Sequence, residues 1–507
     1  MMIAQKWVNT KWLEIAAIAL LLIISSFLFL LNLGNHYLWQ DEAQTALIAQ
    51  TVLDHGIPLG HDGRNSLSQE EGAEFGSDRI YKWHPWLTFY ILAGFFKLFG
   101  VSTLTARLPF ALFGIGTILM TYLLAKQIVN TRTAFLTAFL LMLCVPFILL
   151  SKQCRYYSPS IFFAVLTLTL FLSVVKRGKW ETMSALVLCL GVDFHIQSVN
   201  YLILASTMAL YSLFIDRKTF RRSFLVLILS TLFVVPWLLY TSDISYRAVY
   251  PEMMTLIGMT DSLPQYVLLL LKHIVPYAFL LFLLILFMVQ VIRKKRVPEA
   301  QSVYRNGVIL LLLYILLGIL LLSFFNVAVF FRYLGPLIPV ILLFVALGID
   351  YAIRVNIVLG VIAALISFSI YPIQEYLYEI THDYDGPIEG IVTYLNSHGS
   401  SKDTVAVTYE DMPIKFYTGM RVVGGLTGES LPESRAARWI ILRKHDITSR
   451  VKDVREYFLT FLNEQEYEPV ELAYPDIPFE NREDPSWHQY RTADVPAKVV
   501  IYQRQSY

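Results

Sequence analysis

Long apolar runs follow one another through the first three quarters of the chain, separated by short polar breaks. A run of ~20 apolar residues is the length that crosses a bilayer as a helix, and in lipid only helices and closed barrels satisfy their own backbone hydrogen bonds. The runs fall near 13–33, 103–125, 133–150, 158–175, 181–197, 199–215, 222–240, 264–291, 307–326, 332–352 and 355–374. They predict a polytopic α-helical membrane protein of about eleven spans. Composition agrees: 56% of residues are hydrophobic and only 16% charged, where soluble domains carry about 25% charged residues. After about residue 376 the chain reads as soluble protein. The expected domains are therefore 1–375, transmembrane, and 376–507, a globular α/β domain.

The basic residues set the expected sidedness. Arg293-Lys294-Lys295-Arg296, Arg217-Lys218 with Arg221-Arg222, and Lys176-Arg177 with Lys179 should face the cytoplasm, because short cytoplasmic loops are rich in Lys and Arg. The run 13–33 is too long for a signal-peptide core and is expected to remain as the first span, with Lys6 and Lys11 inside. Trp86–Phe99 is too short to cross, and a crossing there would invert every later loop, so an interfacial helix is expected. The loop 32–102 and the C-terminal domain then share the extracytoplasmic side of an integral plasma (inner) membrane protein. Helices near 388–396 and 449–465 and strands near 404–409, 438–443 and 498–503 are expected in that domain.

Two classes of function receive no support. The net charge of +2 is no pointer to nucleic acid, and no nucleic-acid partner is expected. Cys144, Cys154 and Cys189 lie inside or at the ends of apolar runs without a CxxC, so neither a zinc site nor a disulfide framework is indicated. Gly424-Gly425-Leu426-Thr427-Gly428 lacks the Lys of a phosphate loop and reads as a turn.

Polar groups converge instead on the expected outer face. Asp41 and Glu42 follow the first span at the start of a helical stripe that Gly56 ends. An N-cap with a first-turn charge would look the same. A carboxylate there can also stay ionised and act as a general base. Lys82 and His84, in Tyr81-Lys82-Trp83-His84-Pro85-Trp86, could meet a phosphate, or the segment could simply anchor at the interface. Arg155, in the loop 151–159, and Arg332, opening a span, depart from the positive-inside bias; an anionic ligand or a lipid headgroup would account for them. Asp193 and His195 end another span on this face, with a hydrogen-bonded structural role as the alternative to acceptor binding.

Asp41-Glu42 after the first span, Tyr81…His84-Pro85 entering an apolar helix, Leu98-Phe99-Gly100, Ala106-Arg107-Leu108-Pro109, Arg155-Tyr156 and Arg332-Tyr333-Leu334…Pro336 together resemble the GT-C membrane glycosyltransferases. The similarity is to the dolichyl-phosphate-mannose protein mannosyltransferase and aminoarabinose transferase branch, over most of 1–350. It implies a polyprenyl-phosphate-linked sugar donor bound from the bilayer and a lipid, glycan or protein acceptor reached from outside. It makes Asp41 the base or acceptor-orienting group, with Glu42 beside it, and Lys82, Arg155 and Arg332 the donor-phosphate set, to which the sequence reading adds His84. Tyr81, Tyr156, Tyr333 and His195 would line the substrate. Trp86 stands where many relatives have a second Pro, and Arg155-Tyr156-Tyr157 where some have an acid. No obligatory metal or other cofactor is expected.

A transporter or lipid flippase is the alternative. Transporters place charges and broken helices near the midplane and often show inverted repeats, whereas no repeat is visible here. A non-catalytic receptor would leave Asp41-Glu42 and Arg332 unexplained.

Overall fold

A computed structural model describes residues 2–293, 304–325, 328–462 and 467–505. Seven helices are long and apolar enough to cross a membrane: Lys11–Leu30, Thr103–Ile128, Tyr157–Arg177, Ser198–Ile215, Arg217–Tyr240, Arg305–Phe325 and Phe331–Val355. The chain is thus a multi-pass membrane protein.

Three expected spans are broken helices instead. Thr131–Met142 with Val145–Lys152 bends by 63°, Leu256–His273 with Tyr277–Ile292 by 82°, and Ile357–Phe368 with Ile373–Glu379 by 53°. Pro146, Pro276 and Pro372 stand beside the three breaks, where a missing N–H and a fixed φ stop a helix from continuing. Counting each pair as one span gives ten. The remaining expected span corresponds to Trp180–Ile196, a helix of 17 residues. Of the basic cluster 293–296, residues 294–296 lie outside the described residues.

The short apolar run forms the helix Leu87–Phe99, 13 residues long. It packs on the helix Gln40–His55. Gly56 closes the latter with φ 77, the left-handed cap that its position promised.

The C-terminal part of the chain holds one mixed sheet of β1 (Thr404–Val407), β2 (Arg421–Gly424), β3 (Trp439–Ile441), β4 (Tyr467–Pro475) and β5 (Lys498–Arg504). The order is β2-β1-β3-β5-β4, with β1 parallel to β2 and β3, and β5 antiparallel to β3 and β4. Pro387–His398 and Ser449–Leu462 are helical. Sequence periodicity missed β2 and β4: β2 has four residues, and β4 is largely exposed. The glycine run is a turn, with Gly424, Gly425 and Gly428 at positive φ.

This C-terminal part is tied to the loop after the first helix. Gln40 Nε2 donates to Asp411 Oδ1 at 2.9 Å, and the Tyr37 N–H donates to Glu389 Oε1 at 2.7 Å. Asn65 Nδ2 donates to the Met420 carbonyl, and its Oδ1 accepts from the Val422 N–H, at 3.0 and 2.9 Å. The loop connecting β4 to β5 returns to the transmembrane helices, where Lys152 meets Glu379 and Glu379 meets His488.

Candidate active site

The helix Gln40–His55 presents both acids in its first turn, but their carboxylates take different partners. Trp39 occupies the cap position and its side chain caps nothing, so neither acid is the N-cap. Glu42 faces Arg107, which donates through Nε at 2.9 Å and Nη2 at 2.6 Å. The Cys154 N–H donates to Glu42 Oε1 at 2.7 Å. Both side chains are buried, and this bidentate geometry is the strong form of the Arg–carboxylate pair. Glu42 therefore fastens the loop to the helix Thr103–Ile128, which explains the Arg of the Ala106-Arg107-Leu108-Pro109 motif.

Asp41 faces two other arginines. Arg332 Nη1 lies 3.1 Å from Asp41 Oδ2, and Arg155 Nη2 lies 3.8 Å from the same oxygen. Arg155 Nη1 also donates to the Asp41 carbonyl at 3.2 Å and to Thr45 Oγ1 at 2.9 Å, which fixes it to the helix. Burial alone would raise the Asp41 carboxyl, but the charges of Arg332, Arg155 and Arg482 outweigh it and hold the group below its ordinary range. Asp41 is therefore a stable carboxylate.

Arg482 is the residue that sequence reasoning missed. It comes from the loop between β4 and β5, inside the charged run Asn481-Arg482-Glu483-Asp484, with no pattern to set it apart. Its guanidinium lies 5.2 Å from the ring centres of both Trp39 and Phe330. Arg332 lies over the same two rings, at 5.6 and 4.3 Å. The Nε atoms of Arg155, Arg332 and Arg482 are buried without a hydrogen-bond partner among the described residues. Burial and then the charge of Arg332 pull Arg482 below its ordinary range. Two guanidinium groups thus flank the Asp41 carboxylate, and the charge of a third, Arg482, also acts on it. The cluster therefore carries more positive than negative charge, and buried charge without a counter-charge is costly.

The remaining expected site residues divide. His84 joins the cluster: its ring centre is 5.1 Å from that of Tyr156, and burial together with Arg155 lowers it to about 3, so it is neutral. Tyr156 lies against Arg155 at 5.4 Å, and Tyr333 against Arg332 at 5.7 Å. Tyr81 is buried, its ring 6.4 Å from that of His84. Lys82 turns away. Its ammonium pairs with Asp243 at 2.8 Å and Asp78 at 3.3 Å, so its charge is already met within the protein. His195 is not brought to Asp41; its Nε2 contacts the Phe233 carbonyl at 3.1 Å. Asp193 accepts from Asn200 at 2.8 and 3.0 Å. Among the described residues no group of three or more His, Cys, Asp and Glu side chains could hold a metal ion.

This architecture has counterparts elsewhere. The archaeal oligosaccharyltransferase AglB from Archaeoglobus fulgidus, in a complex with an inhibitory peptide and a dolichol-phosphate, superposes with a TM-score of 0.60 at 12% identity, covering 91% of this chain and 73% of that one. ArnT from Cupriavidus metallidurans, bound to undecaprenyl phosphate, gives 0.58 at 13% identity, covering 97% of this chain and 98% of that one. The chain thus shares the fold of these two solved structures. The dolichyl-phosphate-mannose-protein mannosyltransferase family model matches residues 83–240, from Trp83 to the end of the Arg217–Tyr240 helix. A putative mannosyltransferase of Bacillus subtilis, YycA, is 23% identical over 216 residues, which is 42% of this chain and 30% of that protein. An uncharacterized protein of Aquifex aeolicus is 32% identical over 164 residues, 32% of this chain and 30% of that protein. The matched stretches thus span under a third of these two relatives.

Proposed function

We propose that the protein transfers a sugar from a polyprenyl-phosphate donor to a hydroxyl-bearing acceptor on the extracytoplasmic side, with Asp41 as general base. The observation that carries the reading is the Asp41 carboxylate held between Arg332 and Arg155, with Arg482 on the same aromatic rings. A donor phosphodiester supplies the anion that the surplus guanidinium charge calls for. The acceptor hydroxyl loses its proton to Asp41 as its oxygen attacks the anomeric carbon. The anomeric C–O bond to phosphate breaks, and the phosphate leaves with that electron pair. No acid partner is needed, since phosphate departs unprotonated. Charge balances: an ionised Asp41 and a singly charged donor become a protonated Asp41 and a doubly charged lipid phosphate.

His84 is neutral, so its role is hydrogen bonding rather than charge pairing. Glu42 is outside the proposed chemistry because its carboxylate is committed to Arg107. Lys82 leaves the donor-phosphate set for the same reason. His195 leaves the substrate-lining set, its ring nitrogen being held at a backbone carbonyl. The transfer is metal-independent in this reading: guanidinium groups take the place of a cation at the phosphate.

The test is transfer by protein reconstituted in liposomes with polyprenyl-phosphate sugars. Wild type should release polyprenyl phosphate in step with sugar transfer, and Asp41→Asn should not. Equal rates would remove Asp41 from the mechanism.

A further inference from the structure

Arg482 differs from the other two arginines in what meets its charge. Arg332 and Arg155 both approach Asp41. Arg482 has no carboxylate within ion-pair distance among the described residues, and its Nε is buried and unpaired. It is 7% exposed, so water does little to compensate. It is also stacked on the rings that hold Arg332, which sets two like charges close together.

The protein holds Arg482 there deliberately. Glu480 pairs with Arg443 at 2.7 Å, and Glu483 pairs with Arg107 at 3.4 Å. Asn481 Nδ2 donates to Glu389 at 2.8 Å, and Gln153 donates to the Glu483 carbonyl. Phe479 and Asn481 adopt φ of 59° and 60°, a region that side chains other than glycine enter at a cost. Residues on both sides of Arg482 are thus anchored, and the loop accepts backbone strain to deliver one unpaired cation.

We infer that Arg482 is a lipid-phosphate-binding residue contributed by the soluble domain, so that the transmembrane helices alone hold an incomplete site. The inference rests on the proposed transfer reaction. Arg332 and Arg155 divide their hydrogen bonds between Asp41 and the phosphate. Arg482, with no acid to share, is available to the phosphate throughout. Its contribution grows as the phosphate gains its second negative charge on leaving, because the third guanidinium then faces a dianion. The docked domain accordingly does more than cover the loop: it completes the electrostatics of the reaction.

The experiment measures binding of undecaprenyl phosphate to purified full-length protein in detergent, alongside kcat and KM for transfer. Arg482→Gln should weaken undecaprenyl phosphate binding about tenfold or more, the effect of losing one charge-assisted contact. It should lower kcat more than it raises KM. Arg482→Lys should recover part of both. Phosphatidic acid and inorganic phosphate serve as competitors: displacement by phosphatidic acid at equal concentration would identify a general lipid-headgroup site and overturn the assignment. Thermal unfolding in detergent identifies any variant that fails to fold. Asn65→Ala, which removes hydrogen bonds to Met420 and Val422 that do not involve the rings, should leave undecaprenyl phosphate affinity unchanged in protein that remains folded. A loss equal to that of Arg482→Gln would mean that docking, not the guanidinium, matters. If wild type does not bind undecaprenyl phosphate, the transfer reading itself fails. If Arg332→Gln loses affinity while Arg482→Gln keeps it, only the inference about Arg482 fails.

Discussion

The Arg332 guanidinium reaches within 3.1 Å of the Asp41 carboxylate, joining the start of one transmembrane helix to the loop that follows another. This contact helps to explain why a buried acid stays ionised. It also makes the charge on Asp41 dependent on Arg332.

The pH dependence of transfer should show that coupling. Asp41 has a depressed folded-state value, so its ionised form persists as pH falls below the ordinary carboxylate value of about 3.9. The same depression stabilises the fold above that value, and the stability is lost as pH drops through the folded value. The rate should therefore stay level on the acid side until below about pH 4 and show no step near the usual histidine value of about 6.5, His84 being neutral. Arg332→Gln removes a charge that lowers Asp41, so the acid limb of kcat should move to higher pH. An unmoved limb in that variant would detach the limb from Asp41.

Asp41 and Glu42 should separate cleanly under mutation. Asp41→Asn should cost about 10² to 10⁴ in kcat, the usual contribution of a general base, with little change in thermal stability. Glu42→Gln leaves Arg107 buried with one fewer counter-charge and should destabilise by about 3–5 kcal/mol. Thermal unfolding in detergent, measured beside activity, distinguishes the two.

The docking of the soluble domain should weaken as pH rises. Burial lifts Glu389 to about 7 while its Oε1 accepts from the Tyr37 N–H and from Asn481. Its folded value lies above its unfolded one, so the penalty for ionisation appears as pH climbs between the two and is complete above the folded value. Glu389→Gln keeps the accepting oxygen and should raise the unfolding temperature at pH 8 more than at pH 5.5. Equal shifts at both pH values would contradict the assignment.

Metal removal supplies a further check. Washing the reconstituted protein with EDTA should leave the transfer rate unchanged within experimental scatter, since Arg155 and Arg332 stand at the phosphate. Loss of activity restored by Mg²⁺ or Mn²⁺ would overturn the metal-independent reading.

Much of this was legible in residue order. The apolar runs mark the spanning helices because nothing but a helix suits a run of that length in lipid, and Trp86–Phe99 was legible as a helix too short to cross. Asp41, Arg155 and Arg332 stood out because charge near hydrocarbon needs a reason. Pairing was not legible. Nothing in sequence says that Glu42 would meet Arg107, or that Lys82 would be spent on Asp78 and Asp243, because those partners lie far apart in the chain. Arg482 was hidden for the opposite reason: in a soluble domain an Arg beside Glu483 and Asp484 looks like any solvated surface charge. Only the fold turns it inward, onto Trp39 and Phe330. The broken helices were missed because the apolar pattern continues across each bend.

The most direct test of the central claim is mass spectrometry of lipid-linked sugars in cells that carry wild type, Asp41→Asn or no protein. The account predicts that one polyprenyl-phosphate sugar accumulates without the protein and accumulates equally with Asp41→Asn, while its glycosylated acceptor disappears in both. Lipid-linked sugars unchanged by removal of the protein, or restored to wild-type levels by Asp41→Asn, would contradict it.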